Sequence, residues 1–484
     1  MKKIFTLVLT AFIALSGFSQ VRISQVYGAG GNSGATYNQD FVEIYNAGAG
    51  TVSLDGWSIQ YASATGGSGN WAVDSIPNGT NIGAGKYLLV ALASGATGVA
   101  LPTPDHINTG INLASTAGKV VLLSVQTPLN GTTACSSAGV VDVIGYGTTA
   151  TCSEGFPFST SGLSSIEAMF RKDNGCTDFG DNSIDFEIAA VNPRNSSAAA
   201  NVCSNNPVLI VTNAAGLLTT VGTASVSATF KVYANNLTGA PGNITVSAGT
   251  GDAEVSLSSG SGFGSFVSIP YASSAILSAT LYVRISATAL LGAVNVDLIA
   301  NGGGAPNDTG SMSGNVLVAE PTVQASNIVT SNINDTSMTI NWTNGNGGNR
   351  IVVMHAASAS TIAPADSRSY NASLDVRTAS TTGSGNYVVF NGTSGGPVNV
   401  IGLQAGVTYT ISVYEYDSSG AGTHNYLTTA AANNPVTATT TGTSSNLTQI
   451  NFTALVAPLY MGSGTATRTP TLYYAKLSNL APCV

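Results

Sequence analysis

Charged side chains are scarce in this sequence of 484 residues. Asp, Glu, Lys and Arg make up 8% of it, against roughly a quarter in an ordinary globular chain. The formal net charge is −8, so a nucleic-acid backbone would be repelled on average. Polarity comes mainly from uncharged residues, among them 56 glycines. We therefore expect no nucleic-acid partner, and a chain rich in turns and uncharged strand faces.

Histidine is nearly absent as well, with 3 residues, and the common hydrolase and phosphate-binding motifs are missing. The sequence Gly31–Gly34 has the look of a loop around a serine nucleophile, Ser33, for which only His106, His355 and His424 could act as base. A glycine turn and a solvent-facing His106 in a Pro-Asp-His turn is the simpler interpretation. The sequence thus predicts no catalytic residues, no cofactor and no enzyme activity in this chain.

Long hydrophobic runs are also missing. The apolar run Ile4–Leu15 follows Lys2 and Lys3 and precedes small residues, which is the pattern of a secretory signal over residues 1–19. It is too short to span a bilayer, and no later stretch is long and apolar enough to do so. We predict a secreted, extracellular and monomeric protein with no transmembrane segment.

Cysteine is rare but grouped. Four of the 5 cysteines, Cys135, Cys152, Cys176 and Cys203, lie in the first two hundred residues or just beyond. An even number in an exported segment favours two disulfides, and three pairings are open. Cys135–Cys152 and Cys176–Cys203 would close the shorter loops and are preferred. A zinc site is the alternative, although no Cys-x-x-Cys spacing and no nearby histidine supports it.

What the chain has in quantity is short runs of alternating apolar and polar residues that end at Gly, Pro or Asn. This period of two is typical of half-buried β-strands joined by turns. The clearest runs in the first part of the chain are Val21–Tyr27, Phe41–Asn46, Val52–Tyr61, Lys86–Leu92, Lys119–Leu123 and Val140–Tyr146. The pattern predicts an all-β fold.

Three features in this part resemble the lamin tail domain, an Ig-like module of secreted bacterial proteins and nuclear lamins. They are the Gly-rich turn after Tyr27, the strand Phe41–Asn46, and the Leu54-x-Gly56-Trp57 strand entry. The resemblance runs from about residue 21 to 196 and implies a first domain over 20–205, with Trp57 as a structural residue. It implies a fold and a location, and no reaction.

Two further sandwich domains are expected downstream. Residues 206–320 carry Thr/Val/Ser alternation, as in Ser225–Val232 and Leu281–Ile285, and resemble an Ig-like spacer domain of secreted bacterial proteins. Residues 321–442 resemble a fibronectin type III domain. Trp342 there lies on an inward strand face, and Leu403, Gly406 and Tyr409 have the spacing of a tyrosine corner, although Ala405 stands where that family usually has Pro.

The last part of the chain predicts an incomplete module. Thr437–Asn446 has the composition of a linker, and residues 443–484 contain only two strand-like runs, too few to close a sandwich. We interpret this part as the truncated start of a further β module, and the chain as the front part of a longer protein.

The densest acidic segment runs from Asp173 to Glu187. Carboxylates at this spacing are hard oxygen ligands suited to Ca²⁺, and the candidate ligands are Asp178, Asp181 and Asp185. The spacing misses the EF-hand pattern, and acidic residues between Gly and Asn are also ordinary turn formers. Two aromatic pairs, Tyr414/Tyr416 and Tyr473/Tyr474, suggest a sugar platform, but at such positions one ring is expected in the core.

These patterns support two hypotheses on function. The first is a secreted, non-catalytic multidomain protein that binds or positions an extracellular protein or glycan. The second is the accessory-module portion of an exported hydrolase, a nuclease or phosphatase, whose catalytic domain is not in this chain. The resemblance to the lamin tail domain allows both, because such modules also accompany hydrolase domains.

Overall fold

The computed structural model describes residues 20–69, 71–159, 164–274 and 277–442. Within these ranges nearly all regular structure is β-strand, arranged as three successive sandwiches that we number 1 to 3 along the chain. The predicted all-β class of tandem sandwiches is confirmed. The predicted signal peptide over 1–19 and the predicted module over 443–484 lie outside the described residues.

Sandwich 1 consists of strands and three short helical turns. The strands are β1 Val21–Tyr27, β2 Gln39–Asn46, β3 Val52–Ser53, β4 Ser58–Ser63, β5 Ala72–Ser75, β6 Asn81–Ile82, β7 Tyr87–Ser94, β8 His106–Ile107, β9 Gly118–Leu123, β10 Val140–Tyr146, β11 Glu167–Arg171 and β12 Phe186–Ala190. The turns are a 3-10 turn Ala134–Ser136, α1 Lys172–Gly175 and α2 Asn182–Asp185. No helix in the described ranges is long and apolar enough to cross a membrane.

Two sheets face each other in sandwich 1. One has the order β12-β11-β1-β2-β7-β8 and the other β10-β9-β4-β5, with β3 and β6 as a separate pair. The core between them includes Ile23, Ile44, Val90 and Leu122, and Trp57 packs against it partly buried. The six-stranded sheet therefore carries the elements on either side of the acidic segment, β11 and β12.

The strands β1 and β2 are more buried than the alternating pattern predicted. Every residue of β1 is buried, because the chain after β12 covers the outer face of the sheet. Arg194 in that segment lies 2.7 Å from the buried Glu43 carboxylate and stacks over the Tyr87 ring at 3.9 Å. The prediction of half-buried strands was wrong here, since long-range ion pairing does not show in a period-two pattern.

Sandwich 2 contains β13 Val208–Val211, β14 Ala214–Thr220, β15 Ala228–Asn235, β16 Gly242–Ala248, β17 Ala253–Ser256, β18 Phe266–Tyr271, β19 Leu277–Ile285, β20 Gly292–Gly302 and β21 Ala305–Leu317. Its sheets have the orders β13-β15-β19-β17 and β14-β21-β20-β16-β18. Alternate residues of β20, such as Val294, Val296 and Leu298, are buried. Period two is thus the burial pattern of this strand.

Sandwich 3 contains β22 Ser326–Ser331, β23 Ser337–Thr343, β24 Asn349–Ala356, β25 Thr381–Gly383, β26 Asn386–Gly392, β27 Val398–Ile401, β28 Thr408–Asp417, β29 Asn425–Tyr426 and β30 Val436–Thr439. The sheet β22-β23-β27 faces the sheet β25-β26-β24-β28-β29, and β30 also pairs with β28. The predicted linker Thr437–Asn446 was therefore wrong at its start, because β30 completes this sandwich.

The two disulfides are Cys135–Cys152 and Cys176–Cys203, the pairing that closes the shorter loops. The second ties the chain after β12 to sandwich 1. In the same segment the amide of Asn201 donates to the Gly85 carbonyl at 2.8 Å. The connection to sandwich 2 is therefore docked on sandwich 1.

The aromatic residues singled out in sandwich 3 are core residues. Trp342 is buried and packs 5.5 Å from the Phe390 ring. Tyr409 is buried, and its hydroxyl accepts a hydrogen bond from the Gln404 backbone amide at 2.9 Å. This bond closes the turn before β28, which is the geometry of a tyrosine corner.

We predict that Tyr409→Phe lowers the unfolding free energy of sandwich 3 by about 1 kcal/mol, because the Gln404 amide loses its acceptor while the ring stays packed. Calorimetry of the full chain measures it. Tyr387→Phe is the matched control, since the Tyr387 hydroxyl has no hydrogen-bond partner within the described residues. Equal effects of the two substitutions would contradict the role of Tyr409.

Candidate functional site

The acidic segment folds as two tight turns between β11 and β12. Asp173 and Asn174 in α1 have left-handed backbones, with φ of 53° and 59°, so α1 is a left-handed turn rather than a helix. Asp181 caps α2 by accepting from the Ser183 amide, as is usual for Asp before a helix. The turns direct the carboxylates of Asp178 and Asp185 inward and that of Asp181 toward sandwich 2.

Arg171 is the centre of the inward group. Its guanidinium is fully buried and donates to both oxygens of Asp142 at 2.7 and 2.8 Å. Asp185 and Asp178 lie 3.4 and 3.6 Å from its other terminal nitrogen. Arg22 pairs with Asp178 at 3.3 Å. The cluster is thus an ion network inside sandwich 1, facing the start of sandwich 2.

The network holds more acid than base. Four carboxyl groups, from Asp142, Glu154, Asp178 and Asp185, surround the two guanidinium groups of Arg22 and Arg171. Burial raises the pKa of Glu154 to about 9 and the pKa of Asp185 to about 7, the latter against the opposing effect of Arg171. Glu154 therefore keeps its proton near neutral pH and Asp185 is partly protonated there, because burial opposes the ionisation of these two carboxyl groups.

The expected calcium ligands are separated by this arrangement. Carboxylate oxygens of Glu154, Asp178 and Asp185 lie within 4.8 Å of one another, whereas Asp181 points away from them. Including Asp181 in the set was wrong, because its side chain caps α2 and contacts sandwich 2. A divalent cation at the remaining carboxylates would also lie beside the Arg171 guanidinium, so the geometry favours an ion network over calcium.

Sequence reasoning missed Glu154, Asp142 and Arg171 as members. A signal for Asp142 did exist, since it is the one charged residue within the apolar run Val140–Tyr146 and is buried in β10. Glu154 lies in a turn sequence with no such signal. Its Oε2 atom is buried, with no hydrogen-bond partner among the described residues, which fits a protonated group.

Asp181 joins sandwich 1 to sandwich 2. Its Oδ2 atom accepts from the Tyr233 hydroxyl at 2.6 Å and lies 3.1 Å from the Lys231 amine. Asp181 and Tyr233 are each 1% exposed. Burial acts to raise the pKa of Asp181, but hydrogen bonds from Ser183, Tyr233 and Lys231 outweigh it and lower the pKa. Asp181 is therefore a buried, ionised carboxylate shared by two sandwiches.

Two aromatic contacts extend the same junction. The rings of Phe179 and Tyr233 lie 5.6 Å apart, and the Lys231 amine lies 4.8 Å from the centre of the Phe156 ring. Phe179 is buried. The junction thus combines a charge-assisted hydrogen bond, an ion pair and ring packing, and we refer to Phe156, Phe179, Asp181, Lys231 and Tyr233 as the Asp181 junction.

The histidines do not form a triad with Ser33. His106 opens β8, and its Nε2 atom lies 2.7 Å from Asp74 Oδ1, which connects the edges of the two sheets. The expected solvent-facing His106 was wrong, since its side chain is 16% exposed. In the described ranges no hydroxyl group is hydrogen-bonded to the His106 ring. The His355 ring is hydrogen-bonded to the Thr361 hydroxyl at 2.9 Å, and His424 stacks on Tyr416.

The expected sugar platform of Tyr414 and Tyr416 is not exposed. The two residues are 7% and 5% exposed. Neighbouring segments that include Tyr370 and Tyr426 cover the face of β28 on which both rings lie. The second pair, Tyr473 and Tyr474, lies outside the described residues. A ligand site on sandwich 3 would therefore need other side chains.

Comparison with known proteins supports the first sandwich directly. Residues 15–148 match the family model described as Lamin Tail Domain. The match ends before Glu154 and the acidic segment, whereas the sequence resemblance was extended to about residue 196. Strand pairing places β11 and β12 in the same sheet as β1, so the residues after 148 complete this sandwich. No curated protein sequence matches the chain.

Solved structures with similarity to this chain include several multidomain fragments. The FN1–FN3 domains of chicken CNTN1 are 8% identical, with 87% of this chain and 98% of that chain covered and a TM-score of 0.21. Domains A168–A170 of titin are 12% identical, with 68% and 94% covered and a TM-score of 0.22. A two-domain fibronectin type III segment of chicken tenascin is 12% identical, with 49% and 99% covered and a TM-score of 0.17. Identities and scores this low carry no information on function.

The raised pKa of Glu154 predicts a pH-dependent stability. Between the ordinary value of 4.5 and about 9, the folded chain binds more protons than the unfolded chain, so its stability falls as pH rises. Glu154→Gln cannot ionise. We expect this variant to be more stable than the wild type at pH 8 by roughly 1–3 kcal/mol, with no gain near pH 4.5.

Thermal unfolding of the full chain between pH 4.5 and 9 measures this difference. Glu187→Gln is the matched control, because Glu187 is exposed on β12 and outside the network. Parallel stability curves for the wild type and Glu154→Gln would show that Glu154 ionises normally in the folded chain.

Proposed function

We propose that this chain is an exported, non-catalytic multidomain protein that holds a bound partner at a fixed geometry outside the cell. The Asp181 junction carries the proposal. A buried carboxylate that relies on Lys231 and Tyr233 for its hydrogen bonds resists separation of the two sandwiches, because separation would disrupt a desolvated ion pair. Sandwiches 1 and 2 would therefore act as one rigid body.

Export is supported by cysteine chemistry and by the amino-terminal sequence. Both disulfides lie in sandwich 1 or its docked connection, and disulfides persist mainly in oxidising compartments. The sequence over 1–19 has the pattern of a secretory signal. We propose domains over 20–205, 206–320 and 321–442, and the grouping of strands into three sandwiches supports this division.

A non-catalytic role is supported by how the reactive groups are paired. The guanidinium of Arg171 lies among the carboxyl groups that would otherwise be candidate metal ligands. His106, the base considered for Ser33, is paired with Asp74. Neither arrangement places a nucleophile beside a free base, which a hydrolytic site requires.

The rigid-body proposal predicts coupled unfolding. In calorimetry of the full chain, sandwiches 1 and 2 should unfold in a single transition. The double variant Lys231→Met/Tyr233→Phe should separate it into two, since it removes both partners of Asp181 and leaves the ring of residue 233 in place. Tyr282→Phe on the neighbouring strand β19 is the control. Separate transitions for sandwiches 1 and 2 in the wild type, in addition to that of sandwich 3, would contradict rigid coupling.

The non-catalytic proposal predicts no turnover of nucleic acids, phosphate esters, peptides or glycans by the purified full chain. The assays should include Ca²⁺, Mg²⁺ and Mn²⁺, because the carboxyl groups of Asp178 and Asp185 belong to the metal-ligand candidate group found among the described residues. Turnover that is lost in Asp185→Asn but retained in Ser33→Ala would move the function to the buried network and overturn the proposal.

A further inference from the structure

A cleft of about 630 Å³ lies between sandwiches 1 and 2, beside the Asp181 junction. Its walls are the left-handed turn α1, the strand β12, the connection around Val202, the strand β13 and the end of β15. This volume falls in the range of small-molecule sites, roughly 300–1,000 Å³. We call it the junction cleft.

Uncharged polar side chains dominate the wall of the junction cleft. The amides of Asn174, Asn201, Asn206, Asn235 and Asn236 lie along it, together with hydroxyl groups. An amide side chain offers both donors and an acceptor, and each hydroxyl of a sugar also donates and accepts. Asn174, Asn201, Asn235 and Asn236 each use one amide atom in a hydrogen bond within the protein. The hydroxyls of a polyhydroxylated ligand can pair with the remaining donors and acceptors, which an apolar ligand would desolvate without replacement.

The charged groups in the cleft favour a neutral ligand. Lys172 and Glu187 place one positive and one negative side chain in the wall. Within the described ranges neither of these side chains has a hydrogen-bond or ion-pair partner. Two further carboxyl groups lie in the wall. Asp173 accepts from the Thr177 hydroxyl at 2.6 Å, and Asp178 is paired with Arg22 at 3.3 Å. An anionic ligand would meet more negative than positive charge at this wall. Lys172 and Glu187 remain available to bind sugar hydroxyls.

Apolar side chains and a fixed shape complete the site. Val202 is 86% exposed and Val208 is 39% exposed on the wall, which provides methyl groups for the C–H faces of a sugar ring. The disulfide Cys176–Cys203 joins two sides of the cleft, and the Asp181 junction holds the sandwiches on either side. A preformed cleft lowers the entropy cost of binding.

We propose that the junction cleft binds a neutral oligosaccharide. The inference rests on the proposed function, in which sandwiches 1 and 2 keep a fixed geometry, and it names the class of partner. The side chains of Lys172 and Glu187 bind hydroxyl groups of the sugar. The asparagine amides form hydrogen bonds that depend on the orientation of those hydroxyls, and the valines contact the sugar ring. Sandwich 3 is not part of the site.

The test is calorimetric titration of the full chain with neutral hexasaccharides: cellohexaose, xylohexaose, laminarihexaose, mannohexaose and N-acetylchitohexaose. At least one should bind with one site per chain. Lys172→Ala/Glu187→Ala should weaken that binding about tenfold or more, equivalent to losing about 1.4 kcal/mol. Asp297→Ala is the matched control, because Asp297 is exposed on β20 and outside the cleft.

Three results would overturn the proposal. They are no binding of any hexasaccharide, binding that the double variant leaves unchanged, and binding only of a heparin oligosaccharide or an unstructured peptide in parallel titrations. Calorimetric unfolding of the same samples separates this inference from the proposed function. If sandwiches 1 and 2 unfold together but no hexasaccharide binds, the proposal of a sugar ligand fails while the proposal of rigid positioning stands.

Discussion

The buried carboxylate of Asp181 is the constraint on which the relation between sandwiches 1 and 2 depends. It is ionised and almost completely excluded from water, and two of its hydrogen-bond donors, Lys231 and Tyr233, belong to the other sandwich. Removing these donors would leave a charge buried without partners, which is among the most costly changes a folded protein can undergo. In our proposal this group holds the two sandwiches on either side of the junction cleft, and the Cys176–Cys203 disulfide fixes the connection that forms part of its wall.

The Arg171 network supports the same segment from within. Asp185 accepts from the Phe179 and Asp181 amides at 2.8 and 3.2 Å, so the network fixes the backbone that presents Asp181. In a chain with so few charged residues, this concentration of buried charge marks the segment as the structural centre of sandwich 1. The retained protons of Glu154 and Asp185 link that centre to pH.

Much of the fold could be predicted because it depends on local pattern. Alternation over Leu281–Ile285 located β19. The loop lengths favoured the Cys176–Cys203 pairing, and the spacing from Leu403 to Tyr409 indicated the corner that Gln404 closes. The junction could not be predicted in this way. In the sequence, Asp181 is recognisable only as a helix-capping residue. Its partners lie about fifty residues later, on a strand whose pattern does not differ from that of the other sandwich strands. The pairing of His106 with Asp74 also joins residues far apart in the sequence, and no motif links them. Long-range side-chain pairings of this kind depend on how the sheets pack against one another, and the local sequence pattern contains no information on that packing.

Rigid coupling of sandwiches 1 and 2 is tested most directly by a distance distribution between spin labels. Ala72 on β5 and Ala293 on β20 are exposed strand residues, and each can be replaced by a labelled cysteine in a chain carrying Cys483→Ser. Pulsed electron double resonance should give one narrow distance distribution, which broadens in Lys231→Met/Tyr233→Phe. A distribution already broad in the otherwise unchanged chain would contradict the account, because the Asp181 junction would then not hold the two sandwiches together.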